Sequence, residues 1–181
     1  MRGDGDGWSR GPGAGRHWGR FGAAGLLVRA PLASGLPTVL LQHRAPWSHQ
    51  GGTWALPGGA RDSHETVVAA AFREAHEEAG IRQAQLHLVT HRVTMIAPGG
   101  WTYTTVVADA TAQLATVHNH ESADMRWVPE AEVDMLPLHP GFAVAWPLLR
   151  ISHFERTTDS VAHTMERPDG TFAWAAGPVS E

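Results

Sequence analysis

Apolar runs broken by turn-forming residues set the order of the chain. FGAAGLLVRA (Phe21 to Ala30) and PTVLLQHRA (Pro37 to Ala45) are short, apolar and separated by PLASGLP, the pattern of two strands joined by a turn. WSHQGG marks a loop, from which TWALPGG leads on. Val67, Val68, Ala71, Phe72 and Ala75 then recur at helical spacing. They predict a helix from about Glu65 to Ala79, with Asp62 or Ser63 as its cap and Gly80 as its C′ stop. LHLVTHRVTMIAP and WTYTTVVADAT alternate in part and are rich in Val and Thr, and Gly99-Gly100 between them predicts a hairpin. MRWVP reads as one more short strand and EAEVDML as a helical turn. GFAVAWPLLRISHF reads as a packed helix in which Pro147 starts or kinks a turn. MERPDGTFAW places a Pro-Asp-Gly turn between extended runs, the mark of a small terminal hairpin. The order of strands, helix, hairpin, strand and helix predicts a mixed α/β domain with helices packed on a central sheet.

Composition narrows this picture. A chain of 181 residues fits one domain with tails to spare. The first 19 residues hold many glycines and no apolar periodicity, so residues 1–19 are expected to form a flexible arm, 20–153 the domain and 154–181 a tail. A hydrophobic share of 43% and a charged share of 18% are ordinary for a soluble globular protein. No stretch approaches the roughly 20 apolar residues of a membrane helix, and the opening lacks the apolar region of a secretory signal. The expectation is a cytoplasmic protein with no membrane partner. Without cysteine there is no disulfide, thiolate zinc site or cysteine nucleophile, so any metal must be held by oxygen or imidazole. All 14 basic residues are Arg, which excludes a lysine nucleophile or a P-loop lysine. A formal net charge of −4 argues against a nucleic-acid polymer as partner. A small anionic substrate remains compatible if arginines converge, and assembly as a homodimer stays open.

The helix carries the chemistry. Glu74, Glu77 and Glu78 stand at i, i+3 and i+4 and so share one face. Like charges so close repel, and the helix dipole disfavours them further in the C-terminal half. A hard divalent cation, Mg²⁺ with Mn²⁺ as a substitute, resolves the conflict by taking oxygen ligands from adjacent turns. The plain alternative is a solvated acidic surface, since helices often carry Glu for propensity alone.

The wider pattern decides between them. Gly59, Glu65, Arg73-Glu74, Ala75, Glu77-Glu78 and Gly80-Ile81 stand in the register GX5EX7REUXEEXGU, which resembles the Nudix box at every fixed position. Ala75 alone departs softly, standing where a larger aliphatic residue is common. The resemblance covers Arg20 to His153 and implies an α/β/α sandwich that hydrolyses a nucleoside diphosphate linked to another moiety. It implies Glu74, Glu77 and Glu78 as metal ligands, the Gly59 carbonyl as a further one, and water as the attacking group. Glu65 and Arg73 are read as a supporting pair that orients these carboxylates. For the general base two candidates stand: Glu77 within the box, and Glu121, which matches a glutamate that many relatives place in the loop before a late strand and which could also serve as a ligand.

His43 and Arg44, ending a strand before the box, are candidates to meet substrate phosphate, against the reading of an exposed strand end. Trp101, near the hairpin tip, is the tryptophan singled out for substrate or partner contact. Trp54, Trp127 and Trp146 read as packing, and His118-Asn119-His120 as a surface loop. The leading reading is a magnesium-dependent pyrophosphohydrolase of a nucleoside triphosphate in the MutT manner, releasing monophosphate and pyrophosphate. ADP-ribose or another nucleotide sugar is the second enzymatic reading, hinted at by Pro98. A non-catalytic nucleotide sensor is the third; the intact box and the lack of a helix-turn-helix argue against it.

Overall fold

The structure, a computed structural model, describes residues 3–9, 16–117 and 119–150. The chain divides into two compact units, Met1–Ala145 and Trp146–Glu181, and the site lies within the first. The predicted terminal hairpin, the tail, His118 and the end of the predicted second helix lie outside the described residues.

The strands are β1 (Ala23–Pro31), β2 (Pro37–Arg44), β3 (Trp54–Ala55), β4 (Gly58–Ala60), β5 (His87–Ile96), β6 (Thr102–Asp109) and β7 (Ser122–Pro129). The helices are α1 (Val67–Ala79) and α2 (Pro140–Leu149), with short 3-10 turns at Gln83–Gln85 and Glu130–Met135. Among the described residues no helix is long and apolar enough to cross a membrane. β1 is central and buried along nearly its whole length, which explains its almost unbroken apolar sequence. It runs parallel to β6, which forms the predicted hairpin with β5. On its other edge it pairs antiparallel with β2 only over Arg29–Pro31, while β4 takes the same edge over Ala23–Gly25. β2 is divided in the same way, pairing with β1 at one end, with β3 at the other and with β7 along its length. The sheet is therefore mixed, and it splits between β1 and β2.

One face of the sheet receives α1. Ala24, Leu26 and Val28 of β1, Leu40 of β2 and Val106 and Ala108 of β6 pack against Ala70, Ala71, Phe72, Ala75 and Ala79. The alanines let the helix lie close to the strands, and Val67 and Val68 pack at the margin.

Two expectations need correction. The helix begins at Val67, two residues later than predicted, and its cap is Thr66, whose hydroxyl accepts from the Ala69 N–H at 3.1 Å. Asp62 and Ser63 are engaged elsewhere: Asp62 Oδ1 accepts from Gly5 N–H at 2.7 Å, and Ser63 N–H donates to Asp4 Oδ1 at 2.9 Å. The same bonds engage described residues of the segment expected to be an arm. Its described residues run back on themselves through Ser9 N–H to His17 O and Gly19 N–H to Gly7 O, both 2.7 Å. Trp101 Nε1 clamps this ladder by donating to Gly19 O at 2.8 Å. Many glycines in sequence suggest freedom, but bare backbone also lies close against a neighbouring surface and pairs with it.

Candidate active site

The split in the sheet makes room for the site. Where β1 leaves β2, the Pro57 carbonyl accepts from Leu26 N–H at 2.9 Å, and the Gly58–Gly59 backbone enters the gap beside the C-terminal half of α1. Glu78 is 5% exposed, and its Oε2 accepts from Gly58 N–H at 2.7 Å. Gly59 leaves space for Glu74: a Cβ there would stand 2.6 Å from the Glu74 carboxylate. Glu77 is the outward member, its side chain 57% exposed. The helix therefore presents a buried and a half-buried carboxylate to the same glycine turn, with Glu77 open to solvent beside them on α1.

Arg73 ties the cluster together. Its Nε and Nη2 donate to the two oxygens of Glu65 at 2.7 and 3.0 Å, a bidentate fork. Nη1 donates to Glu74 at 2.8 Å, Nη2 also reaches Ala60 O at 2.8 Å, and Glu77 lies 3.8 Å from Nη1. This arginine hydrogen bond holds Glu65 below the usual carboxylate range. The partners on α1 behave oppositely. Burial pushes Glu78 up to about 8, and the Glu74 charge adds to it. Burial likewise raises Glu74 to about 7, against the pull of Arg73, with Glu77 and Asp6 of the N-terminal segment contributing.

Around this centre the structure places the other expected residues unevenly. Arg44 and Glu121 come together at the ends of β2 and β7, where Ala45 N–H donates to Glu121 O at 3.0 Å. The Glu121 side chain is 60% exposed, and its charge acts on Glu78. Arg44 Nε donates to His49 O at 3.0 Å. His43 is stacked on Trp54 at 4.7 Å, a packing contact on the sheet. Trp101 is engaged by the N-terminal segment, with His17 stacked on its ring at 4.7 Å besides the bond to Gly19.

Two residues that sequence reasoning passed over sit beside the carboxylates. Gln42 of β2 is 1% exposed; its amide bonds Ser122 Oγ at 2.8 Å and also reaches Glu78, while its Oε1 has no hydrogen-bond partner among the described residues. Tyr103 of β6 lays its hydroxyl over Gly25, where a Cβ would stand 2.0 Å from it, and close to Gly58. Burial, then the Glu78 charge, raises the Tyr103 pKa, so the hydroxyl stays protonated. Only the strand register brings these two side chains to the helix, which no local spacing could show.

A family model described as the NUDIX domain matches residues 20–150. The chain belongs to the Nudix family. It is 52% identical over 185 aligned residues to the Mycobacterium tuberculosis protein named "Putative 8-oxo-dGTP diphosphatase 3", covering 96% of this chain and 85% of that one. A Nudix hydrolase from M. smegmatis, RenU, superposes with a TM-score of 0.78 at 56% identity, over 87% of this chain and 97% of that one. A Bifidobacterium longum nucleoside triphosphate pyrophosphatase/Nudix hydrolase fusion protein is 36% identical over 79% of this chain, which spans 30% of the fusion. The fold is the Nudix α/β sandwich, and the protein is a Nudix hydrolase, an enzyme of the nucleotide pyrophosphohydrolase class.

Nudix enzymes generally use a divalent metal, and the residues here fit one. Glu78 is a buried carboxylate with no cationic partner among the described residues, facing only the Gly58 N–H and the Gln42 amide. Such a group demands a positive charge or a proton. A second acidic grouping, Asp4, Asp62 and His64, is mostly exposed, and Asp4 and Asp62 already accept from Ser63 and Gly5.

Proposed function

We propose that this Nudix hydrolase cleaves a phosphoanhydride of a nucleoside triphosphate, releasing a nucleoside monophosphate and pyrophosphate, with magnesium as the cation. The observation that carries the reading is the meeting of Glu74 and Glu78 at the Gly58–Gly59 turn, with Glu77 3.8 Å from the Arg73 that fixes Glu74, and with no cationic partner for Glu78 among the described residues. The identity to a protein named as an 8-oxo-dGTP diphosphatase makes 8-oxo-dGTP the first triphosphate to test.

Glu74, Glu77, Glu78 and the Gly59 carbonyl would hold the cation, which supplies charge neutralisation on the phosphoanhydride and activation of water. Glu78 is oriented by the Gly58 N–H, and Glu74 by Arg73, so neither must reorganise on binding. Arg73 spends its remaining donors on Glu65 and Ala60 O, locking the turn to the helix. Exposed Glu77 and Glu121 are the carboxylates free to take a proton from the attacking water. Arg44, beside Glu121, offers a guanidinium to the phosphate chain.

The test is a substrate screen with and without Mg²⁺, comparing 8-oxo-dGTP, unmodified triphosphates and ADP-ribose, with products resolved by chromatography. We expect Mg²⁺-dependent release of pyrophosphate from a triphosphate, and a loss of about 100-fold or more in kcat for Glu78→Gln in a protein that still folds. Tight nucleotide binding without turnover, or turnover of ADP-ribose alone, would reject the reading.

A further inference from the structure

Away from the carboxylates, a cleft of about 320 Å³ opens between the N-terminal segment and the tip of the β5–β6 hairpin. Its described lining includes Ser9, Arg20, Phe21, Arg61 and Trp101, and contains no Asp or Glu. On a chain of net charge −4, two arginines facing one cavity without an acid are a local reversal of sign. Neither Arg20 nor Arg61 forms an ion pair among the described residues. We propose that this cleft is an anion-binding site for a phosphate chain, separate from the carboxylate cluster and completed by the folded N-terminal segment.

One of the two guanidiniums is placed in advance. Arg61 Nε and Nη2 both donate to Phe21 O, at 3.0 and 2.8 Å, which fixes the plane of the group and leaves its Nη1 edge to a ligand. Arg20 is exposed and fixed at its backbone, where its N–H donates to Gly5 O at 2.9 Å, so its side chain can turn to a ligand. Ser9 Oγ accepts from His17 N–H at 3.1 Å, so its own proton points elsewhere and is available as a donor. Trp101 forms a fixed wall, because its Nε1 is committed to Gly19 O. A planar guanidinium presents paired donors to phosphate oxygens, and donors held beforehand lose little freedom on binding. The cavity volume matches the lower end of small-ligand sites. Ser9 lies outside residues 20–150, so this wall belongs to the chain's own N-terminal segment and not to the part the NUDIX model matches.

Calorimetric titration of the full chain with inorganic tripolyphosphate in EDTA tests the proposal, because without a cation the glutamate face repels the probe. We expect binding that weakens as salt is raised, and a loss of about tenfold or more in Arg20→Gln. Arg61→Gln should weaken it as well; since it also frees Phe21 O, its melting temperature is compared, and exposed Arg20 provides the variant that leaves the fold alone. Glu78→Gln should bind tripolyphosphate as the parent does. A nucleoside triphosphate binding with equal affinity would show that the phosphate chain alone is read, and tighter binding that the nucleoside is contacted as well. No binding in EDTA, or Arg20→Gln binding as tightly as the parent, overturns the proposal. Either result leaves the hydrolysis assay untouched.

Discussion

Gly59 is the smallest member of the site, and its replacement separates fold from function. A methyl group there would collide with the Glu74 carboxylate at 2.6 Å, but that carboxylate ends a jointed side chain and can swing away. Gly59→Ala should therefore cost about 1 kcal/mol or less in stability while lowering cation affinity by roughly 10- to 100-fold. Paired urea melts and Mn²⁺ titrations measure both; parent-like cation affinity would show that the Glu74 position is not critical. Arg73 opposes that swing. It is already shared among Glu65, Ala60 O and Glu74, so a displaced Glu74 would lose its nearest cation.

At the scale of the element, α1 is a rigid bracket whose ends are set by single residues. Thr66 caps its first turn, and Gly80 closes it with φ 71°, passing its N–H to Ala75 and His76 carbonyls. Thr66→Ala should destabilise the protein by about 1 kcal/mol, read as a lower urea midpoint at unchanged slope. A destabilisation far below that would mean Asp62 or Ser63 can take over the cap. The helix itself was plain in the sequence, because its apolar spacing and its acid spacing are both local. Its cap was not, because Asp62 and Ser63 are equally good capping residues until Gly5 and Asp4, some sixty residues earlier in sequence, occupy them. β3 and β4 escaped notice for another reason: strands of two and three residues are too short to show alternation. Glu74, Glu77 and Glu78 were legible as a set, while Gln42 and Tyr103 join them only through the sheet register.

Across the whole molecule the buried carboxylates couple protons, cation and stability. Glu74 and Glu78 bind protons more tightly folded than unfolded, since burial raises them to about 7 and about 8. The folded state thus holds more protons between the ordinary carboxylate range and pH 8, and cation-free stability should fall as pH rises through that window. Glu65 runs the other way: its lowered pKa gives stability that disappears only in stronger acid. Melting temperatures in EDTA should therefore peak on the mildly acidic side of neutrality. Saturating Mg²⁺ should restore most of the loss at pH 8, because the cation replaces the protons. A flat profile in EDTA from pH 5 to 8 would place these carboxylates in water and not in the fold. The same corner of the molecule holds Tyr103, the chain's single tyrosine, beside Gly25 and Gly58. Isotope labelling of that one amino acid would give a lone ring signal in an otherwise silent spectrum, a built-in reporter of whatever arrives next to Glu78.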